Sequence, residues 1–134
     1  MDDQLRTEAT PFMRAIGLEL DEVGRDRVVG HIDLGPQHHQ PYGLVHGGVH
    51  CAAVEQIASI GASLHAADLG LVCVGVNNNT HFVSSIREGR VTVVAEPITR
   101  GRSQQLWSVE IRRAHDDRLV ATGQLRLANI EPRP

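Results

Sequence analysis

The stretch Gln40-Pro41-Tyr42-Gly43-Leu44-Val45-His46-Gly47-Gly48 is a turn-rich loop that opens directly into an apolar helix. Pro41 and Gly43 interrupt regular structure ahead of Leu44, and Gly47-Gly48 lets another chain or a ligand approach the backbone closely. From Gly48 to Ala67 there is no proline, alanine is frequent and polar side chains are few. That pattern predicts one long helix buried on most sides, ended by Asp68-Leu69-Gly70. The first amides of a helix lack internal partners and carry the positive end of its dipole, so they can polarise a carbonyl or hold an anion. Glu55 falls about two turns into this helix, ringed by Cys51, Ala52, Ala53, Val54, Ile57 and Ala58. A carboxylate on so apolar a helix is costly unless a partner or a chemical role offsets it.

Upstream of the loop, Thr10 can cap a short helix with Pro11 in its first position, and Gly17 ends it. Leu18 to Val23 alternates in polarity, and Gly24-Arg25-Asp26 reads as a hairpin turn into a second strand, Arg27 to Leu34, broken by Gly35-Pro36. Downstream of the helix, the spacing predicts strands over Leu71 to Val83, Arg90 to Arg100, Ser103 to Ala114 and Arg118 to Ile130. The links Arg87-Glu88-Gly89, Gly101-Arg102 and His115-Asp116-Asp117 are short and turn-like, which favours an antiparallel meander. The expected plan is α+β, a hairpin, one long helix and about four strands, with the helix packed on one curved sheet.

At 134 residues the chain suits a single domain spanning 1–134. With only four aromatic residues, the core has to be built from Val, Leu, Ile and Ala. All thirteen basic residues are Arg, interleaved with acids at a net charge of −3, so nucleic acid is not the expected partner. The polar, acidic stretch Met1 to Thr10 offers no signal peptide or anchor, and no run approaches a membrane span, so a cytoplasmic protein is expected. Cys51 and Cys73 read better as reduced thiols than as a disulfide. His46 and His50 are one helical turn apart, a spacing that zinc can use. No matching carboxylate motif follows, however, and no metal is expected. Asn77-Asn78-Asn79 is unusual within a strand and marks either a bulge or a polar pocket lining.

Element order and the run Gly43-Leu44-Val45-His46-Gly47-Gly48 together resemble the hotdog fold of acyl-CoA thioesterases, over nearly the whole chain after the first dozen residues. Gln40, six residues before His46, and Glu55, nine after it, resemble the branch that places Glu rather than Asp on the helix. That branch includes the 4-hydroxybenzoyl-CoA and 1,4-dihydroxy-2-naphthoyl-CoA thioesterases. The segment Arg87-Glu88-Gly89-Arg90-Val91 and the later one from Gly101-Arg102 through Trp107-Ser108-Val109-Glu110-Ile111 look like it too.

The resemblance implies thioester hydrolysis with coenzyme A as leaving group and no cofactor beyond the coenzyme A of the substrate. It implies Glu55 as nucleophile or general base, the Gly47 amide polarising the carbonyl, and Gln40 donating to the same oxygen. His46 would orient the loop or line the pocket. Ser59, which shares the helix face of Glu55 four residues on, would contact the nucleophilic water or the acyl ring substituent, a local backbone bond being the alternative. By position, Gly75, Phe82, Val83, Ser84, Ser85, Thr99, Arg100, Gly101, Arg102, Ser103 and Gln104 would hold coenzyme A, with Arg100 and Arg102 as the phosphate partners. Phe82 to Ser84 depart from the basic or imidazole groups that the branch often carries there. The resemblance also implies a homodimer, and a dimer of dimers, with each site between subunits and an acyl-CoA substrate of aromatic type. Medium-chain fatty acyl-CoA hydrolysis and non-catalytic acyl-CoA binding are the alternatives. Hydratase chemistry would require an Asp near His46, and no Asp lies between Gln40 and Glu55.

Overall fold

The computed structural model describes residues 9–134, so the N-terminal reading over residues 1–8 lies outside them. In chain order the elements are α1 (Pro11–Ile16), β1 (Glu19–Val23), β2 (Val28–Leu34), a 3-10 turn (Pro36–His38), α2 (Gly47–Asp68), β3 (Val72–Phe82), β4 (Gly89–Arg100), β5 (Gln104–Arg113) and β6 (Leu119–Ile130). Boundaries fall where the local chemistry sets them. Thr10 Oγ1 accepts from the Met13 amide at 3.2 Å and so caps α1. Gly17, at φ 77°, closes it by donating to the Arg14 and Met13 carbonyls.

The six strands form one antiparallel sheet in the order β1-β2-β4-β5-β6-β3. The meander expected from the short links therefore holds only for β4, β5 and β6. β3 lies at the far edge, paired with β6, while β4 pairs with β2. Residues 83–88 carry the chain between them. Three strand spacings amount to about 14 Å, and six extended residues reach roughly 20 Å, so a short connection can cross under β6 and β5. It is pinned on the way. The Val83 and Ser84 amides donate to the Val120 carbonyl at 2.8 and 3.1 Å, and Ser84 Oγ donates to the Leu119 carbonyl at 2.6 Å.

Helix α2 runs 22 residues and touches β2, β3, β4, β5 and β6. Five strands are about 19 Å across, wider than one helix, so the sheet must curve to reach it. This is the expected α+β arrangement, a long helix in the hollow of a single curved sheet. The hollow is filled by small aliphatic groups: Val28, Ile32, Val93, Val109 and Leu125 pack against Ala53, Val54, Ile57 and Ala58. Near the far end of the helix, the fully buried Trp107 is admitted only because Gly61 has no side chain. A Cβ there would lie 2.4 Å from Trp107 Cη2. Gln105, also fully buried, accepts from Trp107 Nε1 at 2.9 Å and donates to Ala62 O at 3.0 Å and Asn129 Oδ1 at 2.8 Å. Every buried polar atom in that group is paired, as a core requires. Among the described residues no helix is long and apolar enough to cross a membrane.

Candidate active site

Residues 38–46 form a closed loop that leans on the 83–88 crossing. His39 and Val45 make an isolated antiparallel bridge, the His46 amide donates to His38 O at 2.8 Å, and the Val45 amide donates to Ile86 O at 2.9 Å. Within the loop, the Gln40 side-chain oxygen accepts from the Tyr42 amide. That bond fixes the orientation of the carboxamide and leaves its NH2 as the donating end. His46 is the N-cap of α2, its Nδ1 accepting from the Gly48 amide at 2.8 Å. Its role is therefore to start the helix and aim the first amides. No acceptor for the Gly47 amide stands among the described residues. Gln40, Gly47, Phe82, Val83, Ser84 and Ser85 line one groove of about 270 Å³, together with Leu44, Val45, His50 and Ile86.

Glu55 is elsewhere. It is exposed and lines a second cavity of about 450 Å³ with Phe12, Cys51, Ala52, Gln56 and Asn78. Asn78 Nδ2 donates to Glu55 Oε1 at 3.3 Å and to Cys51 O at 3.0 Å, while Thr80 Oγ1 donates to Asn78 Oδ1 at 2.7 Å. This chain of bonds sets the rotamer of Asn78 and steers the carboxylate. Gly75 passes close by, since a Cβ on it would lie 3.5 Å from Glu55 Oε2. The β3 bulge falls between Gly75 and Asn77, and Asn78 turns toward the helix, so both readings of the asparagine triplet hold. Ser59, half-buried, is one turn beyond Glu55 and does not line that cavity.

Glu55 and Gly47 are eight residues apart on one helix, which is about 12 Å along its axis. A single thioester carbonyl cannot be held by the Gly47 amide and reached by Glu55 of the same chain.

Residues 42–120 match the family described as the Thioesterase superfamily. The chain belongs to that superfamily. Membership makes this protein a thioester hydrolase of the hotdog fold. A Mycobacterium tuberculosis protein named as an esterase is 49% identical over 92% of this chain and 89% of its own length. Its solved structure superimposes with a TM-score of 0.89, covering 93% of this chain and all of that one. A Listeria monocytogenes 1,4-dihydroxy-2-naphthoyl-CoA hydrolase is 34% identical over 75% of this chain and 80% of its own. A Staphylococcus aureus thioesterase, 25% identical, superimposes with a TM-score of 0.84 over 92% of this chain and all of that one. Its solved variants replace by alanine a glutamine and a glutamate fifteen positions apart.

The remaining coenzyme A candidates of this thioesterase do not join either cavity within one chain. Thr99 to Gln104 form the end of β4 and its turn into β5, beside the far end of α2, where His65 Nε2 lies 3.4 Å from Gly101 O. That is about 27 Å along the helix from Gly47. Arg100 is already engaged, donating to Arg25 O at 2.7 Å and to Asp26 Oδ1 at 2.8 Å. Gln104 Oε1 accepts from Arg126 at 3.1 Å. Arg102 is exposed, and its guanidinium has no partner among the described residues. Cys51 and Cys73 are not joined in a disulfide. Among the described residues no group of three or more His, Cys, Asp and Glu could hold a metal ion.

Sequence reasoning passed over Phe12 and Gln56 beside Glu55, and weighed His50 only as a metal ligand. Phe12 had no signal, because nothing in the sequence says that α1 comes up against α2. For His50 the signal was present: a polar ring on a helix face made otherwise of Ala, Val and Ile is as conspicuous as Glu55.

Proposed function

We propose that this thioesterase hydrolyses coenzyme A esters of aromatic acids at sites shared by two subunits, where Glu55 of one protomer faces the Gly47 amide and Gln40 of the other. The observation that carries this reading is the 12 Å helical offset between Glu55 and Gly47, which puts them in separate cavities of one chain. β3 supplies the means of joining them. It is an edge strand with Val74 and Val76 exposed, a surface that invites pairing with a second copy. Glu55 is level with Gly75, and Gly47 is level with Phe82, whose Cζ would lie 2.6 Å from a Cβ on Gly47. An antiparallel two-fold pairing of β3 centred on Asn78 or Asn79 sets Gly75 of one chain close to the partner's Phe82. Glu55 then comes up against the partner's Gly47.

The chemistry follows from that juxtaposition. The Gly47 amide and the Gln40 NH2 hold the thioester oxygen and stabilise its charge as the carbonyl is attacked. Glu55 either takes a proton from the attacking water or attacks the carbonyl carbon itself. When water attacks, the new C–O bond replaces the C–S bond and the proton ends on the coenzyme A thiol. When Glu55 attacks, the thiolate leaves an acyl-Glu55 anhydride, which water then opens to release the acid, restore Glu55 and supply the thiol proton. No cofactor enters. The glutamine and glutamate altered in the S. aureus thioesterase have the same separation as Gln40 and Glu55, which supports this pairing of roles. Arg102 is the remaining candidate for a nucleotide phosphate. The naphthoyl-CoA hydrolase relative supports an aromatic acyl group, and cysteines held outside any disulfide suit the cytoplasm. A dimer of dimers extends the same pairing.

The test is thiol release from benzoyl, hydroxybenzoyl, dihydroxynaphthoyl, phenylacetyl and fatty acyl coenzyme A esters by wild type and Glu55→Gln. Turnover of the aroyl esters lost in the variant supports the reading. Unchanged turnover removes Glu55 from the mechanism, and preference for fatty acyl chains removes the aromatic assignment.

A further inference from the structure

His50 is an imidazole in the lining of the Gly47 groove to which the hydrolysis just proposed gives no role. It is 5% exposed, yet it makes no hydrogen bond with any described residue. No side-chain nitrogen or oxygen among the described residues is both sealed from solvent and unpaired. The ring nitrogens of His50 must therefore open onto the groove that the residue lines. In the open groove those nitrogens meet only water, so a ligand group that displaces the water has to supply the bond or lose it.

The groove has two ends. Phe82 and Val83 stand at its rim, 59% and 54% exposed, whereas His50, Val45 and Ile86 close it at 5%, 8% and 7%. The nucleotide of coenzyme A is too large and too charged for the closed end and has to stay at the rim. What reaches His50 is a neutral part of the substrate next to the thioester. His50 follows Gly47 by three residues, and helical side chains lean toward the N-terminus. Its ring accordingly lies beside the Gly47 amide, with the Phe82 ring 6.0 Å away at 45°.

We infer that His50 is a specificity-determining residue of this thioesterase, hydrogen-bonding a neutral oxygen, a hydroxyl or keto group, carried by the acyl part of the substrate near its carbonyl. Burial lowers the pKa of His50, which keeps the ring neutral near pH 7 with one donor and one acceptor nitrogen. Such a ring serves a hydroxyl in either sense and a keto oxygen by donation. It gives a carboxylate no charge to pair with. The inference rests on the acyl-CoA reading above, and extends it from the reacting atoms to the choice of acyl group.

The test compares affinities of two non-hydrolysable thioether analogues, phenacyl-CoA and 2-hydroxyphenacyl-CoA, for wild type, His50→Leu and His50→Asn by calorimetry. Wild type is expected to favour the hydroxylated analogue about tenfold, the worth of one net hydrogen bond. His50→Leu should bring the ratio to about one by weakening only the hydroxylated analogue, and His50→Asn should keep part of it. Ratios of kcat/KM for 2-hydroxybenzoyl over benzoyl and for 3-hydroxybutanoyl over butanoyl esters should move in parallel. Equal weakening of both analogues in His50→Leu would assign the residue to the pantetheine or to the fold and overturn the inference, as would an unchanged ratio. If His50→Leu does not assemble, the His50→Asn ratio decides on the same terms. Affinity ratios that respond to His50 in a protein without turnover would sink the hydrolase reading and leave this inference standing.

Discussion

A shared site predicts that two disabled subunits will repair each other. Glu55→Gln removes the carboxylate, and loss of such a group lowers turnover by about 10²–10⁴-fold. Gln40→Ala removes one donor to the developing oxyanion, which lowers kcat by about 10²–10³-fold. Each homodimer carries its defect in both sites. In a one-to-one mixture about half of the dimers are mixed, and each mixed dimer has one site built from the intact half of both chains. About a quarter of all sites should then be wild type, so the mixture should recover roughly a quarter of wild-type activity, at least 25-fold above either parent. The 12 Å offset along α2 is what makes this outcome compulsory, because within one chain the Gly47 groove and the Glu55 cavity are separate. Co-expression under two affinity tags, tandem purification of mixed dimers and a thiol-release assay measure it directly. Mixed dimers no more active than the average of their parents would refute the composite site, since two sites contained within single chains cannot complement.

Three other expectations rest on single contacts. Gln105→Leu strands the Trp107 N–H in the core and takes its donor from Asn129 Oδ1, while the Ala62 carbonyl keeps its helical partner. One unpaired buried N–H should cost about 1–3 kcal/mol, read as a lower urea midpoint and a Tm drop of roughly 5–10 °C; a drop under about 3 °C would contradict the burial argument. His46→Ala removes the cap of α2 and should cost about 0.5–2 kcal/mol, with His46→Asn restoring most of it in the same urea titration. Asp116, hydrogen-bonded by Arg113 at the β5–β6 turn, has its pKa lowered to about 2. A depressed carboxylate contributes to stability fully above its ordinary pKa, and loses that contribution as pH falls from about 4 through 2. Arg113→Ala should shift the Asp116 titration upward when followed by side-chain NMR, and an unmoved titration would discard the pairing.

What the sequence revealed was whatever short-range chemistry decides. Thr10-Pro11 and Gly17 bound α1, and the break at Asp68-Leu69-Gly70 bounds α2 to within a residue or two, because caps and breakers act on their own turn. The placement of β3 was hidden. Strand order depends on how a crossing segment spans the sheet, and Val83 to Glu88 looks like any turn-rich link until the Val120 and Leu119 carbonyls that anchor it are in place. The site divided along the same line. Gln40, Gly47 and Phe82 to Ser85 converge because one loop leans on one crossing. The bond from Asn78 to Glu55 spans 23 residues and depends on a bulge. Thr99 to Gln104, grouped with them by position alone, lie at the other end of the helix, so only a neighbouring subunit could carry that turn toward the groove.

β3 is where fold and activity become inseparable. Its inner edge is hydrogen-bonded to β6 from Val72 to Phe82, while among the described residues its outer edge has no strand beside it. A bare edge of eleven residues carrying exposed valines invites a second strand. Val76 is the position at which to test this, because the bulge leaves it without a partner in β6 and it is 56% exposed. Val76→Lys therefore disturbs little within one chain. In a β3 pairing centred on Asn78 or Asn79, it sets two like charges near the dyad, on a surface that has to lose its water. The expected result is a mass halved by sedimentation at micromolar concentration, a far-ultraviolet spectrum unchanged, and turnover lower by more than tenfold because each Glu55 has lost the partner's Gly47. An active monomer would separate assembly from catalysis and return the carboxylate to a site within its own chain.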